Sequence, residues 1–109
     1  MISKVVLADE RLAGALEKLK YSTTEDKQLY DSIQKVFDRL KENAFSGIQI
    51  PKRLIPKEYI QKYRIDNLWK HNLPKGWRLL YSITSKEVLL ISIIIEWVDH
   101  KKYEKRFKY

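Results

Sequence analysis

The spacing of apolar residues divides the first half of the chain into a strand and two amphipathic helices. The segment of residues 3–8 is short and mostly apolar, which predicts a first strand. Asp9 is suited to cap a helix that begins near Glu10, in which leucines recur at helical spacing. Residues 22–24 end this helix and cap a second one. The apolar face of the second helix consists of Leu29, Ile33, Val36, Phe37 and Leu40. The two stripes predict a helical hairpin that packs on a sheet.

The second half has the pattern of a β-sheet. Residues 68–73 and 77–83 are predicted strands joined through Pro74-Lys75-Gly76, because proline pre-sets a turn dihedral angle and glycine tolerates positive φ. Residues 88–98 are rich in isoleucine and valine without clean alternation, which predicts a central strand buried on both faces. The predicted fold class is therefore α+β, with a short N-terminal strand and the helical hairpin packed on a mainly antiparallel, twisted sheet of three to four strands.

Two further segments have weaker patterns. Pro51 and Pro56 flank residues 52–55, which permits an edge segment of a sheet but not a central strand. Residues 57–64 predict a short helix, and residues 100–109 predict a short terminal helix or turn. Because no interdomain linker is visible, residues 1–109 are predicted to form a single domain.

Composition narrows the class of protein. The 109 residues are 44% hydrophobic and 33% charged, so the chain can bury a core and stay in solution. The absence of cysteine excludes disulfides, thiolate metal sites and cysteine nucleophiles. Two histidines without a nearby carboxylate cluster predict no dedicated metal site, and we expect no small-molecule cofactor. We expect no signal peptide, because only four apolar residues, Val5 to Ala8, follow the first four residues. We also expect no membrane association, because no apolar run approaches the roughly 20 residues of a membrane helix, and we expect a cytoplasmic location.

The net charge of +8 is distributed unevenly. Residues 1–50 contain eight basic and eight acidic residues, whereas residues 51–78 contain eight basic and two acidic ones. Residues 101–109 contain five basic residues and one acidic residue. This asymmetry predicts that a polyanion binds to one face of the molecule. The alternative is a solvated basic surface that binds nucleic acid only loosely.

An arginine, a histidine and a tyrosine lie at the ends of two adjacent predicted strands. If these strands form a hairpin, they are antiparallel, and Arg78 comes near the segment that contains His100 and Tyr103. RNA cleavage without a metal needs a base for the 2′-hydroxyl, an acid for the departing 5′-oxygen and cations for the phosphate. Arginine binds phosphate through a bidentate fork, and histidine exchanges protons near neutral pH. We therefore predict Arg78, His100 and Tyr103 as catalytic residues.

Five further cations are candidates for binding RNA phosphates. They are Lys70, Lys52, Arg53, Lys101 and Lys102. The position of Lys70 depends on the register of its hairpin. Pairing Asn72 with Trp77 places Lys70 on the face opposite Arg78, and a shift of one residue places both on the same face. The sequence is compatible with both registers.

Structural roles compete with these catalytic interpretations. Arg78 is suited to pair with Glu96 or Asp99 across the sheet. His100 is suited to bridge the last strand and the tail, and Tyr103 to pack its ring on the sheet.

Other aromatic residues are expected to be structural. His71 is interpreted as a surface strand residue rather than as a catalyst. Trp69, Trp77 and Trp97 are expected to pack in the core or at its rim rather than to stack on nucleobases.

Three segments occur in a specific order along the second half. They are Leu68-Trp69-Lys70, Gly76-Trp77-Arg78-Leu79-Leu80-Tyr81 and Asp99-His100-Lys101-Lys102-Tyr103. They resemble the basic strand, the aromatic-Arg-x-x-Tyr strand and the closing His-basic-x(n)-Tyr segment of the RelE/ParE superfamily, the toxins of type II toxin–antitoxin pairs. The order of strand, two helices and hairpin-linked sheet is similar to that family over nearly the whole chain.

The resemblance implies a RelE-like fold and an mRNA interferase, a ribosome-dependent endoribonuclease that cuts messenger RNA in the A site. It implies phosphate binding by Lys70 and Arg78, a stacking or acid–base role for Tyr103 and an acid–base role for His100. The implied partners are the ribosome, mRNA and a cognate antitoxin with an acidic amphipathic segment. The chain departs from the family pattern at Asn72, where a second basic residue is common, and over residues 49–64, which have no counterpart.

Two other functions stay open from the sequence. The ParE branch shares the fold and inhibits DNA gyrase without cutting RNA, so likeness of fold does not establish nuclease activity. A general basic nucleic-acid-binding module would show steeply salt-dependent binding and no toxicity.

Overall fold

The computed structural model describes residues 2–107 of the chain. Its strands are β1 (Ile2–Leu7), β2 (Ile48–Gln49), β3 (Trp69–Asn72), β4 (Arg78–Lys86) and β5 (Leu89–Val98). Its α-helices are α1 (Glu10–Lys20), α2 (Thr24–Glu42), α3 (Lys57–Tyr63) and α4 (His100–Phe107). Two short 3-10 helices, Lys52–Leu54 and Pro74–Gly76, lie in connections. The last two residues of the predicted C-terminal tail lie outside the described range.

One mixed sheet organises the molecule. Its strand order is β1-β5-β4-β3-β2, with β1 parallel to β5 and the other neighbours antiparallel. The predicted α+β class is confirmed. Helices α1 and α2 pack against each other, and β5 is an interior strand between β1 and β4. The predicted count of three to four strands is wrong, because Ile48 and Gln49 pair with β3 and add a fifth strand. Two residues are too few to show the alternation by which a strand is recognised in a sequence.

The segment between the two prolines is helical rather than an edge of the sheet. The backbone N–H of Leu54 donates to the carbonyl of Pro51 at 2.9 Å, and that of Ile55 donates to Lys52 at 3.2 Å. These bonds close a 3-10 helix, so residues 52–55 do not form the edge segment that the sequence permits. The short helix expected at residues 57–64 is confirmed as α3.

The helix starts follow from local capping. The Asp9 carboxylate accepts a hydrogen bond from the backbone N–H of Leu12 at 2.9 Å, and the Thr23 hydroxyl accepts one from Asp26 at 3.1 Å. Each satisfies a donor that has no partner within its own helix. None of the helices within residues 2–107 combines the length and the apolar character needed to cross a bilayer.

The α1–α2 hairpin covers one face of the sheet. Ile33 and Leu40 of α2 are fully buried, and they pack in one cluster with Leu79, Tyr81 and Ile94 of the sheet. The three tryptophans pack against the same cluster and are partly buried, as expected.

The other face of the sheet is covered by α4, α3 and the connection that precedes α3. Tyr103 and Phe107 of α4 share a buried cluster with Leu80, Ile95 and Val98 of the sheet. Residues 50–68 contribute the rest of this cluster, which consists of Ile50, Ile55, Tyr59, Ile65 and Leu68. The sheet is therefore enclosed between two helical layers.

A β-bulge in β5 redistributes its side chains. Leu80 pairs with Glu96 and Tyr81 pairs with Ile94, so Ile95 is an extra residue without a partner in β4. Ile95 and Glu96 consequently both lie on the face covered by α3 and α4. The absence of clean alternation in this part of the sequence has this physical cause, in addition to burial on both faces.

The hydroxyl of Tyr81 joins the sheet to the turn after α2. It donates to the carbonyl of Ala44 at 2.9 Å and accepts from the backbone N–H of Gly47 at 3.1 Å. A β-carbon on Gly47 would lie 2.6 Å from this hydroxyl, so only glycine fits there. Burial raises the pKa of Tyr81 to about 12, which keeps the hydroxyl protonated as a donor.

We expect Tyr81→Phe to lower the free energy of unfolding by about 1–3 kcal/mol, because two backbone groups lose their common partner. Urea unfolding measures the change. Tyr21→Phe, at an exposed tyrosine, is the control and should change stability little. Equal effects of the two variants would contradict a structural role for the Tyr81 hydroxyl.

Candidate functional site

Two cations converge on one tyrosine ring beneath α4. Lys70 Nζ lies 4.9 Å from the centroid of the Tyr103 ring and donates to its hydroxyl at 3.1 Å. The guanidinium carbon of Arg78 lies 5.0 Å from the same centroid. These three residues form what we call the Lys70–Arg78–Tyr103 site. It brings together three of the residues predicted from the sequence.

Strand register places both cations on the same face. Asn72 pairs with Arg78 and Lys70 pairs with Leu80, which is the second of the two registers compatible with the sequence. Arg78 pairs with Val98 at the end of β5, so it lies beside the start of α4, as antiparallel pairing predicts. The carboxylate of Asp99 caps α4 by accepting from the backbone N–H of Lys102 at 2.9 Å, and the helix then carries Tyr103 back over the sheet.

Arg78 makes neither of the ion pairs considered from the sequence. Glu96 accepts from Tyr59 and pairs with Arg106, and Asp99 caps α4. Arg78 instead donates through Nη1 to the carbonyl of Gly76. Its Nε is buried and has no hydrogen-bond partner. A buried donor of a charged group is costly to leave unpaired, so this geometry favours an anionic acceptor at Arg78.

The site carries uncompensated positive charge. Within residues 2–107, neither Lys70 nor Arg78 forms an ion pair with a carboxylate. Both cations are partly buried, so their mutual repulsion is screened less than it would be between fully exposed groups. The face of the Tyr103 ring offsets part of this repulsion through cation–π attraction. An anion bound between the two cations would offset more of it.

Tyr103 is the buried platform of the site. Its side chain is 3% exposed, and its ring stacks on Phe107 at a centroid distance of 4.5 Å. The ring packs on the sheet, as the structural interpretation of Tyr103 expects. It also contacts both cations. In this arrangement the hydroxyl accepts a hydrogen bond from Lys70, and the residue as a whole is buried.

His100 lies at the open end of the site, at the start of α4. Its side chain is 58% exposed, and its Nε2 lies 2.8 Å from Oε1 of Glu104. A β-carbon on Gly76 would lie 3.2 Å from Cβ of His100 and 4.0 Å from Nη1 of Arg78. Gly76 therefore allows the histidine to lie close to the arginine. His100 pairs within its own helix, rather than bridging from β5 to the rest of the tail.

The remaining predicted phosphate-binding residues are exposed but separate from these contacts. Lys52 and Arg53 lie on the 3-10 helix before α3, and Lys101 and Lys102 lie on the outer side of α4. None of the four makes an ion pair within the described chain. Lys102 lines a groove against α3.

His71 is buried rather than a surface residue. It is 8% exposed, its Nε2 lies 2.8 Å from the hydroxyl of Ser46, and its ring stacks near Tyr81. The surface position expected from the sequence is wrong, because the turn after α2 folds over this face of β3. Burial, with a smaller effect of Arg39, lowers the pKa of His71 below 6.5, so the ring is neutral at pH 7.

The sequence analysis did not identify two features near the site, which are a supporting residue and a polar cluster. Phe107 supports the Tyr103 ring one helical turn later, and its spacing of four residues was an available signal. The second is a cluster in which Tyr59 donates to Glu96 while Arg106 pairs with Glu96 at 3.3 Å and with Glu58 at 3.4 Å. No sequence pattern links these residues, because they come from α3, β5 and α4.

The arrangement suits anion binding rather than metal binding. In the part of the chain that the structure describes, no three His, Asp or Glu side chains gather as metal ligands would. The cationic groups instead favour phosphate or carboxylate. No protein-family model, no curated protein and no solved structure matches the chain.

We expect the free energy of unfolding to fall as the pH is lowered through 6.5, in part because of His71. Its pKa is lower in the folded protein than in the unfolded chain, so the unfolded chain binds the proton first. The stability that this residue contributes is complete above pH 6.5 and is lost as the pH falls towards the lower folded pKa. Urea titrations on both sides of pH 6.5 measure the effect.

The matched variants are His71→Gln, which keeps a partner for Ser46, and His100→Gln. The first should flatten the pH dependence between neutral and mildly acidic pH, and the second should leave the contribution of His71 in place. A wild-type slope in His71→Gln would show that other groups cause the dependence.

Proposed function

We propose that this protein is the toxin of a type II toxin–antitoxin pair and a ribosome-dependent endoribonuclease. The observation that carries this proposal is the Lys70–Arg78–Tyr103 site, where two cations lack a carboxylate and the buried Nε of Arg78 lacks an acceptor. A phosphodiester supplies the missing negative charge, and because Nε is buried, a phosphate oxygen reaches that donor only when the side chain of Arg78 turns outward. The resemblance of three ordered segments to the RelE/ParE superfamily supports the same function.

The reaction in this proposal is internal transfer of the phosphodiester. The 2′-oxygen attacks the adjacent phosphorus, its proton passes to a base, and the 5′-oxygen leaves with a proton from an acid. Arg78 and Lys70 hold the non-bridging oxygens and stabilise the charge that develops in the transition state. The products are a 2′,3′-cyclic phosphate and a free 5′-hydroxyl.

His100 is the acid–base residue of this mechanism, because it takes the proton of the 2′-hydroxyl and delivers that proton to the departing 5′-oxygen. Its exposed ring lies beside Gly76 at the arginine, and Nε2–H donates a hydrogen bond to Glu104, which leaves Nδ1 to accept a proton. Acid–base assistance of this kind typically contributes about 10²–10⁴-fold. Tyr103, because it is buried, is assigned the positioning of both cations.

The proposed partners follow from the same charge. The ribosome presents mRNA to the site, which places the reaction in the cytoplasm. An antitoxin would neutralise the protein by laying an acidic amphipathic segment over the basic face.

Burial of Tyr103 favours a second candidate function. A tyrosine that is 3% exposed cannot exchange a proton with substrate unless α4 moves. A non-cleaving inhibitor of DNA gyrase, as in the ParE branch, needs no such exchange. Expression would then cause DNA damage while transcripts stay intact.

The test is mapping of transcript ends after induced expression, together with cleavage on purified translating ribosomes. We expect wild-type protein to cut mRNA. The cleavage rate of Arg78→Ala should be about 10²–10³-fold lower, which is the usual cost of removing one preorganised hydrogen-bond donor that stabilises the transition state. Tyr103→Phe keeps the ring that both cations contact and removes the hydroxyl to which Lys70 donates, so its loss should be smaller.

Arg39→Ala is the matched control, since it removes an exposed arginine from α2 on the other side of the sheet. It should cut like wild type. Intact transcripts with wild-type protein, or equal cleavage by Arg78→Ala combined with Tyr103→Phe, would sink the proposal.

A further inference from the structure

A basic groove separates α3 from α4 on the face of the sheet opposite the α1–α2 hairpin. It has a volume of about 770 Å³. Lys57 lines it from the start of α3, and Lys102 and Lys105 line it from α4. These three lysines are exposed, and none forms an ion pair within residues 2–107. The groove thus presents free positive charge from both of its walls.

The basic groove continues into a second depression of about 230 Å³. The two share Glu58 and Arg106, and the second is also lined by Arg11, Lys62 and Tyr63. Lys62 Nζ lies 5.3 Å from the centroid of the partly buried Tyr63 ring. The basic groove and the second depression together form what we call the path. Along it, the face of the Tyr63 ring lies among cations.

The shared wall between the depressions is held in place by ion pairs. Arg106 joins Glu58 of α3 to Glu96 of β5, and its guanidinium lies 5.5 Å from the ring centroid of Tyr59. Tyr59 donates to Glu96 from below. Arg106 offsets one of the two carboxylate charges at this wall, and the five other cations that line the two depressions leave an excess of positive charge towards a ligand.

We propose that single-stranded RNA binds along this path, with phosphates on Lys57, Lys102 and Lys105 and with a base stacked on Tyr63. The proposal rests on the proposed function, and it names where the substrate lies beyond the scissile phosphate. An aromatic ring placed between cations favours a nucleic acid over an acidic peptide, because every base offers a face for stacking. Lys102 and Tyr103 both belong to α4, so the same helix forms one wall of the basic groove and carries the ring of the Lys70–Arg78–Tyr103 site.

One wall of the path comes from residues 49–64, the segment without a counterpart in the RelE/ParE pattern. A binding surface built on that segment is a property of this chain's own structure. It also gives a role to Lys102, which lies away from the contacts of Lys70 and Arg78.

The experiment measures the affinity of full-length protein for a fluorescent, unstructured oligouridylate by anisotropy over a range of salt concentrations. All proteins carry Arg78→Ala, so that cleavage does not interfere. The groove variant combines Lys57→Glu, Lys102→Glu and Lys105→Glu. The control combines Lys18→Glu, Lys27→Glu and Lys86→Glu, three exposed lysines of α1, α2 and β4 with the same change in net charge.

We expect the groove variant to lose about tenfold or more in affinity, with a slope of log affinity against log salt that is shallower by about 2, as for three lost phosphate contacts. The control should change both quantities much less. Tyr63→Leu should weaken binding and leave the slope unchanged, because stacking releases no counterions. A groove variant with lysines changed to glutamine, checked by circular dichroism, separates loss of charge from loss of fold.

Equal losses in the groove and control variants, or no loss in either, would overturn the proposal. A competition experiment gives a further test. If polyglutamate displaces the labelled oligonucleotide at the same concentrations as unlabelled oligouridylate does, the site binds acidic protein equally well, and the proposal is overturned. Cleavage by protein with wild-type Arg78 is scored separately. If binding depends on the groove but no cleavage occurs, the binding surface is established and the nuclease function is refuted. If cleavage occurs but binding does not depend on the groove, the nuclease function stands and the binding surface is refuted.

Discussion

The register in which β4 pairs with β3 and β5 is the constraint on which the site depends. With Asn72 opposite Arg78, the side chains of Lys70, Arg78 and Leu80 share one face of the sheet. A shift of one residue in β3 would turn Lys70 towards the α1–α2 hairpin and bring His71 towards α4, because side chains alternate along a strand. The β-bulge at Ile95 has a similar effect in β5, since it sets Glu96 on the same face as its neighbour.

Opposing electrostatic interactions act where two partly buried cations contact one tyrosine ring. Repulsion between Lys70 and Arg78 opposes the arrangement, and the face and hydroxyl of Tyr103 favour it. Burial of Tyr103 and Phe107 in the core holds α4 over the sheet, so packing sets the position of the ring. The hydrophobic contacts of α4 thereby maintain a cluster of positive charge that an anion would stabilise further.

Much of this arrangement was predictable from particular residues. The caps at Asp9 and Thr23, the turn at Gly76 and the proximity of Arg78 to the end of β5 follow from local chemistry and antiparallel pairing. The burial of His71 did not, because the turn that covers it is distant in sequence. The same holds for the Tyr59–Glu96–Arg106 cluster, whose members meet only through packing of α3 and α4.

By itself, the sequence determined the α+β class, the helical hairpin, the central β5 strand and the concentration of positive charge in residues 51–78 and 101–109, because these depend on local periodicity and composition. Only the tertiary structure decided the facing of Lys70, the burial of Tyr103, the fifth strand and the basic groove between α3 and α4. Each of these depends on a pairing register or on contact between segments far apart in the chain. Alternation along a single segment is compatible with more than one such arrangement, and packing selects among them.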